Sequence, residues 1–447
     1  MSEELYNRSW FFSAHQDVGL ATEAIKLARV FADRNFLTAV DPDHIWLKDW
    51  SEYAKVNART RHLLDGLLLA HAFSPDAENA EVPGFAQGAE MAGRVEAFFL
   101  ASTALECQVL EHTTREGHEG YVIALSGYAS DLMAVISWAL PTVHLWYRSR
   151  DRTPTDAGSL REFVAEYGPM KKAVEEMDDS IASYFRLWAR KDGLLTAPTS
   201  ILPSSRDGTP DGDAALEEAE STHAACQTFL LAHEFSHILQ DHFSLDEQPR
   251  AEPPDSFLSQ FPDGVRQEVA ADCAAFTLTM NSLIIRDGDG PGIPDFAALL
   301  KTPRSSRRSL LPGRRRRQES AERDRRTLRR CAVLASDACV SFFAVVDLLA
   351  AVARQYGDEA SAARYDAVSA RKDAVRGYVR WVREGLVHEW GTPMWHPEEH
   401  RQWADLDEHV ERLVTKLVPA LAPASSPAPS PPTPDIPATF RGGGRRG

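Results

Sequence analysis

The chain has 447 residues, 43% of them hydrophobic, and carries a formal net charge of −16. That length allows two or three domains or one large elaborated one, and the apolar content is ample for a core. The acidic balance argues against general binding to nucleic acid or an anionic membrane and leaves room only for local contacts of that kind.

The start, MSEELYNRSWFF, is acidic and lacks a long apolar core, so no secretory leader is expected and a cytoplasmic location is. The five cysteines, Cys107, Cys226, Cys273, Cys331 and Cys339, form no CxxC pair and sit in apolar stretches. Buried thiols in a reducing compartment account for them.

Residues 1–195 read as a mainly helical region. AIKLARVFADRNFL, RHLLDGLLLAHAF and GRVEAFFLASTALECQVLEH show apolar residues at three- and four-residue spacing, which predicts helices. YVIALSG, after the turn-like EGHEG, is the best strand candidate of this half. SLREFVAEYGPMKKAVEEMDDSIASYFRLWAR predicts one or two helices around Gly168-Pro169.

TAPTSILPSSRDGTPDGD (196–213) is dense in turn-forming residues and marks a break. A long helix follows over AALEEAESTHAACQTFLLAHEFSHILQDHF, its first turns acidic as the helix dipole favours. A polar loop leads to a second helix, VRQEVAADCAAFTLTMNSLII. The composition then changes: residues 304–330 hold twelve arginines against three acidic residues. This segment reads as an Arg-rich insertion. Helices are expected around 331–355 and 360–388, and again over DLDEHVERLVTKLV. From 419 to 447 the Pro/Ala/Ser/Gly-rich tail lacks the apolar residues to order itself and is expected to be disordered.

Two apolar stretches, 121–147 and 331–353, approach the length of a membrane span. Asp131 interrupts one, and Asp337 and Asp347 the other, so buried segments are expected and no span.

The chemistry concentrates in LLAHEFSHILQDH (230–242). On a helix His233 and His237 lie on one face and can hold one ion, with Glu234 beside them to take a proton from a water on the metal. Zinc suits such a site, with a third protein ligand and water in the fourth position. Apolar Leu230, Leu231, Phe235, Ile238 and Leu239 bury this helix, where unpartnered histidines would be costly. EVAAD supplies the third ligand in Glu268. Asp272, one turn on, can accept the other ring N–H of a ligating histidine. Glu247 and Asp272 are fallback ligands, and His242, off the His233–His237 face, reads as a helix-end residue.

TFLLAHEFSHILQDHF followed by QEVAADCAAFTL resembles the gluzincin-type metallopeptidases. It is similar to the ImmA/IrrE peptidases, to the HtpX and CAAX-prenyl protease family, and to the Lit-type phage-exclusion peptidases. The resemblance covers residues 228 to 280. It implies zinc held by His233, His237 and Glu268, Asp272 as support, and Glu234 as general base and acid. Late in the chain His396-Pro397 and then Arg401 resemble a His-Pro…Arg pattern of the HtpX relatives, which implies a role in steadying the transition state.

The expected fold is therefore mainly α, of the α+β class: a zincin-like pair of metal-binding helices with a small sheet, in a domain over 196–418 that contains the insertion 304–330. An edge strand of the sheet would receive an extended peptide, with YVIALSG and LLTAPTSIL as candidates. The expected activity is zinc-dependent hydrolysis of a peptide bond in a cytosolic protein. The alternative is a binding protein with a structural zinc site, or a metal-free helical scaffold. In that case Arg314, Arg315, Arg316 and Arg317 would contact nucleic acid or an acidic partner.

Overall fold

The computed structural model describes residues 50–72, 90–100, 107–113, 119–126, 210–240, 257–287, 314–355 and 357–390, with residues 117, 133, 411 and 415. Their elements, in chain order, are α1 (Trp50–Ala72), β1 (Val95–Leu100), β2 (Gln108–Thr113), β3 (Glu119–Ser126), α2 (Pro210–Leu239), α3 (Asp263–Asp287), α4 (Arg314–Gln355), α5 (Glu359–Ser369) and α6 (Lys372–Trp390). The described part is mainly helical with one small sheet, an α+β arrangement. The helices expected over AIKLARVFADRNFL and 159–190, the candidate strand LLTAPTSIL and the tail from 419 lie outside the described residues.

Three expectations are corrected. The described residues of GRVEAFFLASTALECQVLEH do not form the expected helix: Val95–Leu100 is β1 and Gln108–Thr113 is β2. Val95, Glu96, Ala97 and Phe98 are all buried, so β1 has no solvent face and shows no alternation. Its partner β3 lies farther along the chain, beyond the reach of a local spacing argument. YVIALSG is a strand, but a central one. β3 pairs with β1 in parallel and with β2 antiparallel, so neither of its edges can accept a peptide. The Arg-rich segment is no separate insertion from Arg314 onward: it is the start of α4, which runs unbroken into the apolar 331–353 stretch. Arginine, glutamate and alanine are good helix formers, and no Gly or Pro follows Gly313 within this run.

α2, α3 and α4 pack on one another, α1 covers α3 and β1, and α2 lies against β3 and touches β2. α4 is apolar around most of its circumference from Cys331 to Ala353, and it is correspondingly buried. Phe229 of α2 meets Phe342 of α4 with ring centroids 5.7 Å apart. The sheet is tied to α1 by a buried pair, with Arg61 Nη2 2.8 Å from Glu96 Oε2 on β1. Burial raises the Glu96 pKa, and the Arg61 guanidinium partly offsets that rise. The β2–β3 hairpin turns through Gly117, whose φ of +84° suits glycine.

Two helices, Gly264–Arg286 and Arg330–Gln355, are long and apolar enough to cross a membrane, but 67% and 89% of their apolar windows are buried inside the fold. None of the five cysteines is in a disulfide.

α1 and α3 approach closely at Gly66, where an added Cβ would stand 2.5 Å from Ser282 Oγ. The obstacle is one hydroxyl, while alanine favours a helix interior by about 0.5–1 kcal/mol over glycine. Gly66→Ala alone is expected to be close to neutral in urea unfolding. In a Ser282→Ala background the same change should stabilise by about that amount.

Candidate metal centre

α2 brings His233 and His237 to its last turns. Its last turns are apolar, and two of the polar side chains there bond back to the helix: Thr228 Oγ1 donates to the Ala224 carbonyl (2.8 Å) and Ser236 Oγ to the Ala232 carbonyl (2.6 Å). Phe229, Leu231, Ala232 and Phe235 are fully buried and fix its orientation. The two imidazoles stand near-perpendicular, ring centroids 4.9 Å apart, with their Nε2 atoms separated by 3.2 Å.

α3 faces them with Glu268 and Asp272. Glu268 Oε1 is 3.6 Å from His237 Nε2, and Oε2 is 3.6 Å from His233 Nε2. Asp272, completely buried, places Oδ1 2.9 Å from His233 Nδ1. A carboxylate only accepts, so a neutral His233 facing it would carry its proton on Nδ1 and leave Nε2, the atom nearer His237 and Glu268, free to bind an ion. Burial pushes the His233 pKa down, but the carboxylates of Asp272, Glu234 and Glu268 together outweigh it and the net shift is upward.

The three donor atoms, two imidazole nitrogens and one carboxylate oxygen, lie within 4.8 Å of one another. Atoms bound about 2.0–2.1 Å from a tetrahedral zinc stand about 3.3 Å apart; the 3.2 Å between the two Nε2 atoms and the 3.6 Å from Glu268 Oε1 to His237 Nε2 are near that spacing, while the 3.6 Å approach to His233 is made by the other oxygen, Oε2. Two imidazoles and a carboxylate are a donor set that could hold a metal ion, and their chemistry suits zinc. Among the described residues this is the one such cluster of three possible ligands.

Glu234 is buried beside the trio, and burial lifts its pKa to about 7, the adjacent His233 opposing the rise. A carboxyl so placed exchanges its proton near neutral pH.

One residue that the sequence did not reveal completes the cluster. Arg371, in the turn between α5 and α6, contacts Glu268 Oε2 through Nη1, and its Nε lies 3.3 Å from Asp272 Oδ2. Nothing in SARKDAV marks it: neither Gly nor Pro interrupts the helical pattern there. Glu247, His242, His396 and Arg401 lie outside the described residues, and so do the side chains of Arg314, Arg315, Arg316 and Arg317.

Comparison with known protein families, with characterised proteins and with solved structures finds no match. The resemblance to gluzincins therefore rests on residues 228–280 alone.

Proposed function

We propose that the chain is a zinc-dependent peptidase of the gluzincin type, in which His233, His237 and Glu268 hold the ion and Glu234 is the general base and acid. The observation that carries this reading is the convergence of the three donor atoms within 4.8 Å, two from α2 and one from α3, beside a buried Glu234.

Zinc bound there supplies a Lewis acid that polarises a carbonyl and lowers the pKa of water. Asp272 fixes the His233 tautomer and ring plane, keeping Nε2 directed at the site. Glu234 takes a proton from water as it attacks the carbonyl carbon and passes that proton to the leaving amine. A pKa near 7 serves both transfers, because the group holds the proton long enough to deliver it. The peptide is proposed to add as a strand to β2, the sheet edge that α2 touches.

The test is hydrolysis of a proteome-derived peptide library by zinc-loaded protein, with new termini read by mass spectrometry. The wild type is expected to generate them. Glu234→Gln is expected to keep its zinc and lose activity by about 10²–10⁴-fold, the usual contribution of a positioned acid–base group. A zinc-loaded wild type that cleaves no more than Glu234→Gln would instead favour a structural or ligand-sensing zinc site.

A further inference from the structure

We propose that Arg371 is a positioning residue that locks Glu268 and Asp272 in the orientations the two histidines require, and that Asp347 of α4 pins the corner which delivers it. This deepens the peptidase reading and rests on it through the zinc.

The corner is built in steps. α4 ends at Gly357, with φ +70°, where Gly357 N–H donates to the Arg354 carbonyl (3.0 Å) and Asp358 N–H to the Ala353 carbonyl (2.9 Å). These two bonds form a Schellman stop. Asp358 then caps α5, its Oδ1 accepting from Ser361 N–H at 3.1 Å. At the far end of α5, Arg371 N–H donates to the Val368 carbonyl, and the Arg371 carbonyl accepts from Val375 N–H in the first turn of α6, each at 3.1 Å.

Asp347 holds this corner from both sides. Its Oδ1 accepts from Ser369 Oγ (2.6 Å), and its Oδ2 lies 2.8 Å from Lys372 Nζ. These two residues flank Arg371 in sequence, so the Arg371 backbone is bracketed by one carboxylate on α4.

The side chain of Arg371 is only 6% exposed and engages both acids of α3. It is closed off from any substrate, which makes it a positioning group. Its chemistry suits the task, since a planar guanidinium offers donors along a fixed fork and can span two carboxylates, whereas a lysine ammonium is a single point. A cation is needed here, because Asp272 is completely buried and an uncompensated carboxylate at such depth is costly. With Oε2 of Glu268 engaged by Arg371, Oε1 remains turned toward His237.

Charge alone predicts the opposite outcome. A guanidinium beside a dication repels it, so removing Arg371 would tighten zinc binding if repulsion dominated. Loss of a residue that orients metal ligands typically weakens binding about 10–100-fold.

The experiment is zinc affinity by competition with a chromophoric chelator, for wild type, Arg371→Gln, Arg371→Lys and Asp347→Asn, with visible spectra of the cobalt-substituted proteins. Arg371→Gln is expected to bind zinc about 10–100-fold more weakly and to shift the cobalt bands. Arg371→Lys, which keeps charge without the fork, should recover only part of the loss. Asp347→Asn, whose contacts are Ser369 and Lys372, should weaken binding in the same direction by less. It also keeps the test decisive if Arg371→Gln does not fold. Unchanged or tighter binding in the Arg371 and Asp347 variants, with zinc retained by the wild type, overturns the clamp alone. A wild type that binds no zinc overturns the peptidase reading and the clamp together.

Discussion

Wild-type protein purified without chelators is expected to carry about one zinc ion per chain, and His237→Ala close to none. In the proposed site His237 is one of the three possible donors found among the described residues, and its Nε2 is 3.2 Å from that of His233 and 3.6 Å from Glu268 Oε1. Alanine has the highest helix propensity and the His237 ring is not completely buried, so α2 should survive the change. Elemental mass spectrometry reads the metal, and far-ultraviolet circular dichroism of the same samples reads the helix. Equal zinc in both proteins, with the fold intact, would remove His237 from the ligand set. No metal in the wild type, and none taken up on adding zinc, would sink the peptidase reading altogether.

In the metal-free state, Glu234→Gln is expected to be more stable than the wild type at alkaline pH. The folded chain holds the Glu234 proton more tightly than the unfolded chain, since burial lifts the carboxyl from an ordinary 4.5 to about 7. A raised carboxyl contributes full stability below the lower value and loses it as pH climbs through the upper one. At 1.36 kcal/mol per pH unit, a rise from 4.5 to about 7 corresponds to a ceiling of about 3 kcal/mol, reached above about pH 8. Glutamine cannot ionise and so escapes this loss. Urea unfolding of both proteins with excess chelator, from pH 5 to pH 9, should show an advantage for Glu234→Gln that grows with pH and levels off. An advantage that stays constant across that range would show that Glu234 does not titrate in it. An alkaline gain in stability, alongside the loss of turnover expected for the same substitution, would be the trade between stability and activity found where an active site buries a strained group.

The sequence made the two helices that carry the His233–His237–Glu268 cluster legible because their information is local. HEFSH fixes its own geometry: once the segment is helical, His233 and His237 share a face, and apolar neighbours such as Phe235 say that the helix is buried. EVAAD works in the same way, setting Glu268 and Asp272 one turn apart on α3. Those spacings survive any packing that leaves the helices intact.

What only the tertiary structure decided is which faces meet and what else arrives there. β1 resembled helix because Val95, Glu96, Ala97 and Phe98 are buried on both faces, so no two-residue alternation marks it and the local pattern misleads. α4 looked like an insertion followed by a core helix because composition changes at Arg330 while the backbone does not. The run from 360 to 388 looked continuous, yet it turns at Ala370 and Arg371, where contacts with Asp347 hold the corner. That turn carries Arg371 to Glu268, 103 residues away in the chain. Side-chain spacing along one helix follows from the helical repeat alone, but a meeting between segments so far apart is set by the packing of α3, α4, α5 and α6 together.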